Sequence, residues 1–220
     1  MRLDNAVSAL DAYFRVPEVE NDDWSETYEQ LYPEPYWREF AEPGYEGRWN
    51  GLVVRGADDV ERAVTCVFPS DAIVASLPPR TLLFSEHPIA FEDDLEGFAP
   101  LARETFERMK AEGIGFYHVH APLDMHPDVS PSRLVAEGLG LTGLDEYYPI
   151  ADGIPGGAAV VGDSDLTLDE LAGRLREVLG SEIPVGVLTR PRERAGRVAV
   201  VGGGGADADI LTASLERGCE

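Results

Sequence analysis

Histidine and carboxylate side chains that could bind a metal ion follow two apolar runs of the sequence. Glu86 and His87 come directly after the run TLLFS, whereas His118, His120 and Asp124 follow the run GIGFY. Both runs are predicted strands, and open α/β sheets place their ligand sites at the carboxyl ends of strands. Imidazole and carboxylate groups are the usual ligands of zinc, manganese and iron, so this pattern predicts a metal site.

Other chemistry is less well supported by the residues. A structural role is the alternative for the histidines, all four of which lie between residues 87 and 126. The sequence has no Gly-x-Ser-x-Gly motif, and Ser85 next to Glu86 is proximity in sequence without triad geometry. Gly203-x-Gly205-x-x-Ala208 fits a permissive dinucleotide motif, but the further strand and the acidic residue about 20 positions on are missing. We therefore expect that glycine run to form a ligand-free strand–helix turn.

The charge of the chain excludes several classes of partner. Its 220 residues include 41 Asp and Glu against 18 Lys and Arg, a formal net charge of −23. Phosphate binding requires a basic surface, so we expect neither nucleic acid nor an anionic membrane as the partner. Lys110 is the only lysine, and this arginine bias together with the acidity suggests a salt-adapted, halophilic protein.

The apolar runs indicate where the protein is located, and the cysteines indicate whether it has a disulfide framework. No apolar run approaches the roughly 18 residues of a membrane-spanning helix, and the first residues lack the apolar core of a signal peptide. We therefore expect a cytoplasmic protein. The two cysteines, Cys66 and Cys219, are too few for a disulfide framework, and neither is expected to be catalytic.

From residue 51 onward, predicted strands and helices alternate. The predicted strands are GLVVRG (51–56), AVTCVF (63–68), TLLFSEH (81–87), GIGFYHVH (113–120), AAVVG (158–162), PVGVLT (184–189) and RVAVVG (197–202). The predicted helices are 98–111, 130–139 and 167–179, the last with a capping box formed by Thr167 and Glu170. Alternation of this kind predicts an α/β fold, with mixed, largely parallel sheets flanked by helices in two intertwined lobes.

The chain is predicted to have three parts. Residues 1–50 comprise an N-terminal helix and an acidic, aromatic-rich segment, residues 51–140 form the lobe with the metal site, and residues 141–220 form a second α/β lobe with the Gly-rich turn. Residues 141–157 are expected to be a connection or lid. Residues 17–50 contain eight of the chain's aromatic side chains, including every tryptophan. Packing onto the core or onto a subunit neighbour is favoured for them over an aromatic binding surface.

The order of these motifs resembles the Nif-three-like family of dinuclear-metal-centre proteins, whose members are often named GTP cyclohydrolase 1 type 2 homologues. That family has a tandem His-His-Pro after one strand and His-x-x-x-Leu-Asp-like ligands after another. Here the corresponding residues are Glu86-His87-Pro88, and His120 with Leu123 and Asp124. WNGLVV (49–54), DVSPSRLVAEGLGL (128–141) and RVAVVGGGG (197–205) match neighbouring segments, so the resemblance covers about residues 49–218.

The resemblance implies a role for each of these residues. His87 and Asp124 would bind the metal, with Asp124 bridging two ions, and His120 would be a ligand or would orient one. Glu86 replaces the first histidine of the tandem pair and remains able to bind a metal. Either Glu86 or His118 would act as the general base. The cofactor implied is one or two divalent ions, with zinc, manganese and iron left open.

Two functions remain open at this stage. Family members continue to a His-x-x-x-Glu pair near their C-terminus, whereas this sequence has no histidine after His126. We therefore expect either a fragment or a shortened member with half of the site. The first function is a metal-dependent hydrolase acting on a nucleotide-like small molecule. The alternative is a non-catalytic metal-binding or scaffold protein, and in both cases the resemblance implies a homo-oligomer, with a hexameric ring as one form.

Overall fold

A computed structural model describes residues 1–19, 23–91, 97–149, 153–180, 194–203 and 207–219. The chain divides into two compact units, Met1–Pro122 and Leu123–Glu220. The three-part division predicted from the sequence stays a prediction. The predicted strand at 184–189 and Gly205 lie outside the described residues.

The first unit contains most of the described strands. Its elements are α1 (Leu3–Tyr13), α2 (Ser25–Leu31), β1 (Gly51–Val54), β2 (Arg62–Cys66), α3 (Asp71–Ser76), β3 (Thr81–Ser85), β4 (Ala90–Phe91), β5 (Phe98–Ala99), α4 (Arg103–Glu112) and β6 (Gly115–His118). The short helix α5 (Ala121–Asp124) includes the last residues of this unit and the first residues of the next. Three single turns of 3₁₀ helix (Val16–Glu18, Tyr36–Glu39 and Tyr45–Gly47) occur before β1.

Four strands of the first unit form a sheet in the order β1-β6-β3-β2. β6 pairs in parallel with β3, β3 pairs in parallel with β2, and β1 runs antiparallel to β6. Ser85 at the end of β3 lies opposite His118 at the end of β6. The predicted α/β class with a largely parallel central sheet is therefore confirmed.

The second unit contains α6 (Pro131–Gly138), β7 (Thr142–Tyr147), β8 (Ala159–Ser164), α7 (Leu168–Leu179), β9 (Gly196–Val201) and α8 (Ala208–Glu216). Its three described strands pair antiparallel in the order β7-β8-β9. The prediction of a connection or lid over 141–157 was wrong for β7. This strand carries little apolar periodicity, and its register with β8 shifts between Thr142 and Asp145, which hides it from a sequence pattern.

Helix boundaries follow local chemistry. In α7 the Thr167 side chain accepts a hydrogen bond from the Glu170 backbone N–H, and the Glu170 carboxylate accepts one from the Thr167 backbone, so the predicted capping box is confirmed. The predicted helix at 98–111 begins only at Arg103. Phe98 and Ala99 instead pair with β4, and the following Pro100 favours extended backbone at the residue before it.

The core of the first unit is rich in aromatic side chains. The aromatic-rich segment contributes six of its buried residues: Trp24, Tyr28, Tyr32, Trp37, Tyr45 and Trp49. They pack against Leu83 and Phe116 of the central sheet and against Phe106 of α4. Packing onto the core, the favoured interpretation of this segment, is therefore what the structure shows. In the part of the chain that is described, no helix has the length and apolar character needed to cross a bilayer.

Candidate metal centre

The carboxyl ends of β3 and β6 set the position of the predicted site. Beyond Ser85, the backbone N–H of Glu86 donates to Cys66 O at 3.3 Å, and that of His87 donates to Val67 O at 2.9 Å. The Val119 N–H donates to Ser85 O at 3.0 Å. The loops that follow neighbouring strands are therefore held together at one edge of the sheet.

His120 is held in place from β1. Its backbone N–H donates to Asn50 Oδ1 at 2.9 Å, and Asn50 is fully buried immediately before that strand. An amide oxygen buried beside the strand fixes the start of the loop that carries His120. This role of Asn50 was not predicted from the sequence, although a polar residue directly before an apolar strand (WNGLVV) is a visible signal.

The structure brings His87 and His120 together. Their imidazole centroids are 4.9 Å apart and the rings are tilted by 54°. Two imidazoles bound to one tetrahedral zinc ion through nitrogens about 2.1 Å from the metal have ring centres about 5 Å apart. The separation and the chemistry of this pair therefore fit two ligands of one divalent ion.

Aromatic rings surround the two histidines. Phe68 stacks on His87 with centroids 4.0 Å apart and an angle of 19° between the ring planes. The Trp24 indole makes T-shaped contacts with His120 at 5.1 Å and with His87 at 5.9 Å. Trp24 was expected to pack in the core, but its contact with the histidines was not predicted, because residue 24 is more than 60 positions distant from them along the chain.

The two predicted proton-transfer groups lie in different surroundings. Glu86 is partly buried, and this burial raises the pKa of its carboxyl, partly offset by the charge of His120. His118 is 0% exposed, with its Nδ1 3.3 Å from the Tyr45 hydroxyl and its ring 6.2 Å from that of Trp24. Of the two, Glu86 is the group that solvent can reach.

Asp124 and His126 belong to the second unit. Asp124 is the last residue of α5 and is partly buried. His126 is buried, and its Nδ1 accepts a hydrogen bond from the Asp128 backbone N–H at 3.1 Å. The role of Asp124 as a ligand and bridge stays a prediction.

The described side chains do not form a complete metal site. Among the residues whose positions the structure gives, no group of three or more His, Cys, Asp or Glu is arranged to hold an ion. The pair formed by His87 and His120 thus supplies two suitable donors, and any further ligand lies beyond what this geometry shows.

Comparison with known proteins gives a consistent family match. A family model described as Duf34/NIF3 (NGG1p interacting factor 3) matches residues 26–219. A protein from Vibrio cholerae serotype O1, named GTP cyclohydrolase 1 type 2 homolog, is 29% identical over 175 residues, which cover 75% of this chain and 66% of that protein. A protein of the same name from Escherichia coli (strain K12) is 28% identical over 103 residues, which cover 46% of this chain and 42% of that protein. The match thus spans less than half the length of the E. coli relative.

A solved structure confirms the fold at lower sequence similarity. The structure, described as protein ybgI of unknown function, superposes with a TM-score of 0.68 at 19% identity, covering all of this chain and 76% of that one. At this level of identity the similarity shows the fold alone.

Proposed function

The chain belongs to the Duf34/NIF3 family, and from that premise we propose that it binds a divalent metal ion through His87 and His120. The observation that carries the proposal is the 4.9 Å separation of the two imidazoles at the carboxyl ends of adjacent parallel strands. The stacking of Phe68 on the His87 ring and the hydrogen bond from the His120 backbone N–H to Asn50 limit the movement of both loops. A rigid pair of imidazole donors lowers the entropic cost of binding an ion.

Further ligands are part of the proposal. Asp124 follows His120 by four residues, and it would complete the site and bridge to a second ion if two are bound. Glu86 is adjacent to His87 and offers a carboxylate as an additional donor. Zinc, manganese and iron remain the candidates, because a mixed imidazole and carboxylate set suits all three.

A metal-dependent hydrolase is the enzymatic form of this proposal. A divalent ion, when bound, polarises a carbonyl or phosphoryl oxygen and lowers the pKa of bound water. Glu86 would accept a proton from the attacking water, since its carboxyl is partly exposed, whereas His118 is buried and would support Trp24 and Tyr45 instead. A nucleotide-like substrate is suggested by the names of the V. cholerae and E. coli relatives.

A non-catalytic metal-binding or scaffold role is the second candidate. It is favoured by the presence of only two converging ligands among the described side chains. An incomplete site would hold an ion without positioning the further groups that turnover requires. A homo-oligomer, with a hexameric ring as one form, and a cytoplasmic location remain predictions under both candidates.

Metal analysis of the purified protein tests the proposal. We expect wild type dialysed against Zn²⁺ or Mn²⁺ to retain the ion in stoichiometric amount, and His87→Ala and His120→Ala each to bind it at least tenfold more weakly. His126→Gln is the matched control, because its imidazole is buried in the second unit and is engaged with the Asp128 backbone. A metal-free wild type, or variants with unchanged affinity, would contradict the proposal.

A second pair of variants and an assay separate the two candidate functions. Asp124→Asn is expected to weaken metal binding, whereas Asp128→Asn, a change of the same type at an exposed position, is not.

In a turnover assay, metal-loaded protein is incubated with GTP. Turnover that disappears in His87→Ala supports the hydrolase, and a fully loaded protein without turnover supports the non-catalytic role.

A further inference from the structure

Trp24 carries a buried polar atom whose partner is missing. In the described part of the chain, the indole nitrogen of Trp24 is shielded from solvent and has no hydrogen-bond acceptor, and it is the one tryptophan nitrogen for which this holds. Buried polar groups in folded proteins are nearly always hydrogen-bonded, and an exception calls for an explanation such as a bound ligand, ion or water. The indole N–H is a donor only, so the partner it lacks is an acceptor.

Trp24 contacts both histidines of the proposed metal pair. Its ring makes T-shaped contacts with both imidazoles, with centroids 5.1 Å from His120 and 5.9 Å from His87. Phe98 is 36% exposed, and its ring lies 5.9 Å from that of Trp24 and 6.5 Å from that of His87. A molecule bound at the histidines would therefore lie next to Trp24 and the exposed ring of Phe98.

Trp49 offers a comparison within the same aromatic core. Trp49 is 8% exposed, the same fraction as Trp24, and belongs to the same aromatic core. Its ring contacts are with Tyr28, Trp37 and Tyr45. Two tryptophans of equal burial thus differ in that Trp24 is the one that contacts the histidines.

We propose that Trp24 is a ligand-binding residue whose indole N–H donates a hydrogen bond to an oxyanion of the molecule bound at His87 and His120. This inference rests on the proposed metal site, because the ion would supply the positive charge that the acidic chain does not offer to an anion. Carboxylate and phosphate oxygens both fit, since each accepts a charge-assisted hydrogen bond. The hydrogen bond would orient the anion and involves no proton transfer.

Phosphate binding to Zn²⁺-loaded protein tests the inference. Trp24→Phe keeps an aromatic ring against the histidines and removes the indole N–H donor. We expect this variant to bind Zn²⁺ with wild-type affinity and inorganic phosphate about tenfold more weakly, as loss of one hydrogen bond to a charged group requires. Trp49→Phe is the matched control and should bind both as wild type does. Equal phosphate affinity in Trp24→Phe and wild type overturns the inference, as does an equal loss in both variants.

Nuclear magnetic resonance provides a measurement that needs no variant in the binding step. The chain has three tryptophans, so its ¹H–¹⁵N spectrum contains three indole signals. The signals that disappear in Trp24→Phe and Trp49→Phe belong to those residues, and the third belongs to Trp37. Phosphate is expected to shift the Trp24 signal downfield and to leave those of Trp37 and Trp49 in place. The titration is run with and without Zn²⁺, and a Trp24 signal that moves in neither overturns the inference. A wild type that binds no Zn²⁺ contradicts the metal site instead, so the two failures are distinguishable.

Discussion

The two units of the chain use different sheets and different cores. In Met1–Pro122 the sheet is largely parallel and covered by aromatic side chains, whereas in Leu123–Glu220 the described strands are antiparallel and the core residues are mainly small aliphatic ones. Parallel strands have their carboxyl ends at the same edge, so loops that follow β3 and β6 meet and bring His87 and His120 together. An antiparallel sheet alternates strand ends and offers no such edge. The difference explains why the pair formed by His87 and His120 belongs to the first unit.

The largest expected effect is the loss of a buried aromatic side chain from the first unit, compared with truncation of an exposed side chain in the second. Trp37 is buried against Tyr28 and Trp49 in the first unit, and Trp37→Ala is expected to lower the free energy of unfolding by about 3–5 kcal/mol. Leu211 in α8 is 59% exposed, and Leu211→Ala should change it by less than about 0.5 kcal/mol. Urea unfolding followed by circular dichroism compares the two. Similar losses of unfolding free energy in both variants would show that Trp37 stabilises the fold no more than an exposed side chain does.

A pair of glycine substitutions tests how closely the backbone packs in each unit. A Cβ atom at Gly56 would lie 2.3 Å from the backbone nitrogen of Gly115, so Gly56→Ala is expected to cost about 1–3 kcal/mol. A Cβ at Gly173 in α7 meets nothing within 4 Å, so Gly173→Ala should stabilise the protein by about 0.5–1 kcal/mol through helix propensity. Thermal unfolding of both variants measures these changes. Loss of stability in Gly173→Ala would show that α7 packs more tightly than the structure indicates.

A smaller effect concerns pH and the start of α7. The Thr167 backbone N–H and hydroxyl donate to the Glu170 carboxylate and hold its pKa below the ordinary 4.5. A carboxyl with a lowered pKa stabilises the fold above its unfolded pKa, and this stabilisation is lost as pH falls through the folded value. The stability difference between wild type and Glu170→Ala should therefore be largest at neutral pH and shrink below about pH 4. A difference that is constant from pH 7 to pH 3 would contradict this account.

The smallest expected effect per residue on the stability of the fold is that of surface charge, and it should appear in both units. Exposed ion pairs such as Arg2 with Asp58 and Arg174 with Glu177 contribute little, whereas a net charge of −23 repels itself throughout the fold. Molar KCl screens that repulsion and is expected to raise the unfolding midpoint. A midpoint that does not change with salt would argue against the predicted salt adaptation.

Local patterns in the sequence predicted most of the elements that build the site. Apolar runs located β1, β2, β3 and β6 to within a few residues, and the capping box located the start of α7. β7 was missed because it alternates Gly, Asp and Glu with few apolar residues at the edge of its sheet. The antiparallel direction of the second sheet was also not predicted, since alternation of strands and helices does not determine which strands pair.

The site could be predicted only in part, because several of its contacts join segments that are distant in sequence. His87 and His120 follow strands, so a sequence pattern identifies them, and their meeting follows from a parallel pairing of those strands. Asn50, Phe68 and Trp24 contact the histidines through tertiary packing of segments distant in sequence. No spacing rule connects such residues before the fold is known.

The central claim is that the chain binds a divalent ion through His87 and His120, beyond the carboxyl ends of β3 and β6. A Zn²⁺ titration followed by the backbone amide signals of ¹⁵N-labelled protein tests it most directly. We predict that the largest shifts fall at residues 85–87 and 118–120, and that His87→Ala with His120→Ala abolishes them. A titration that leaves these signals unchanged, or shifts confined to residues 159–219, would contradict the claim.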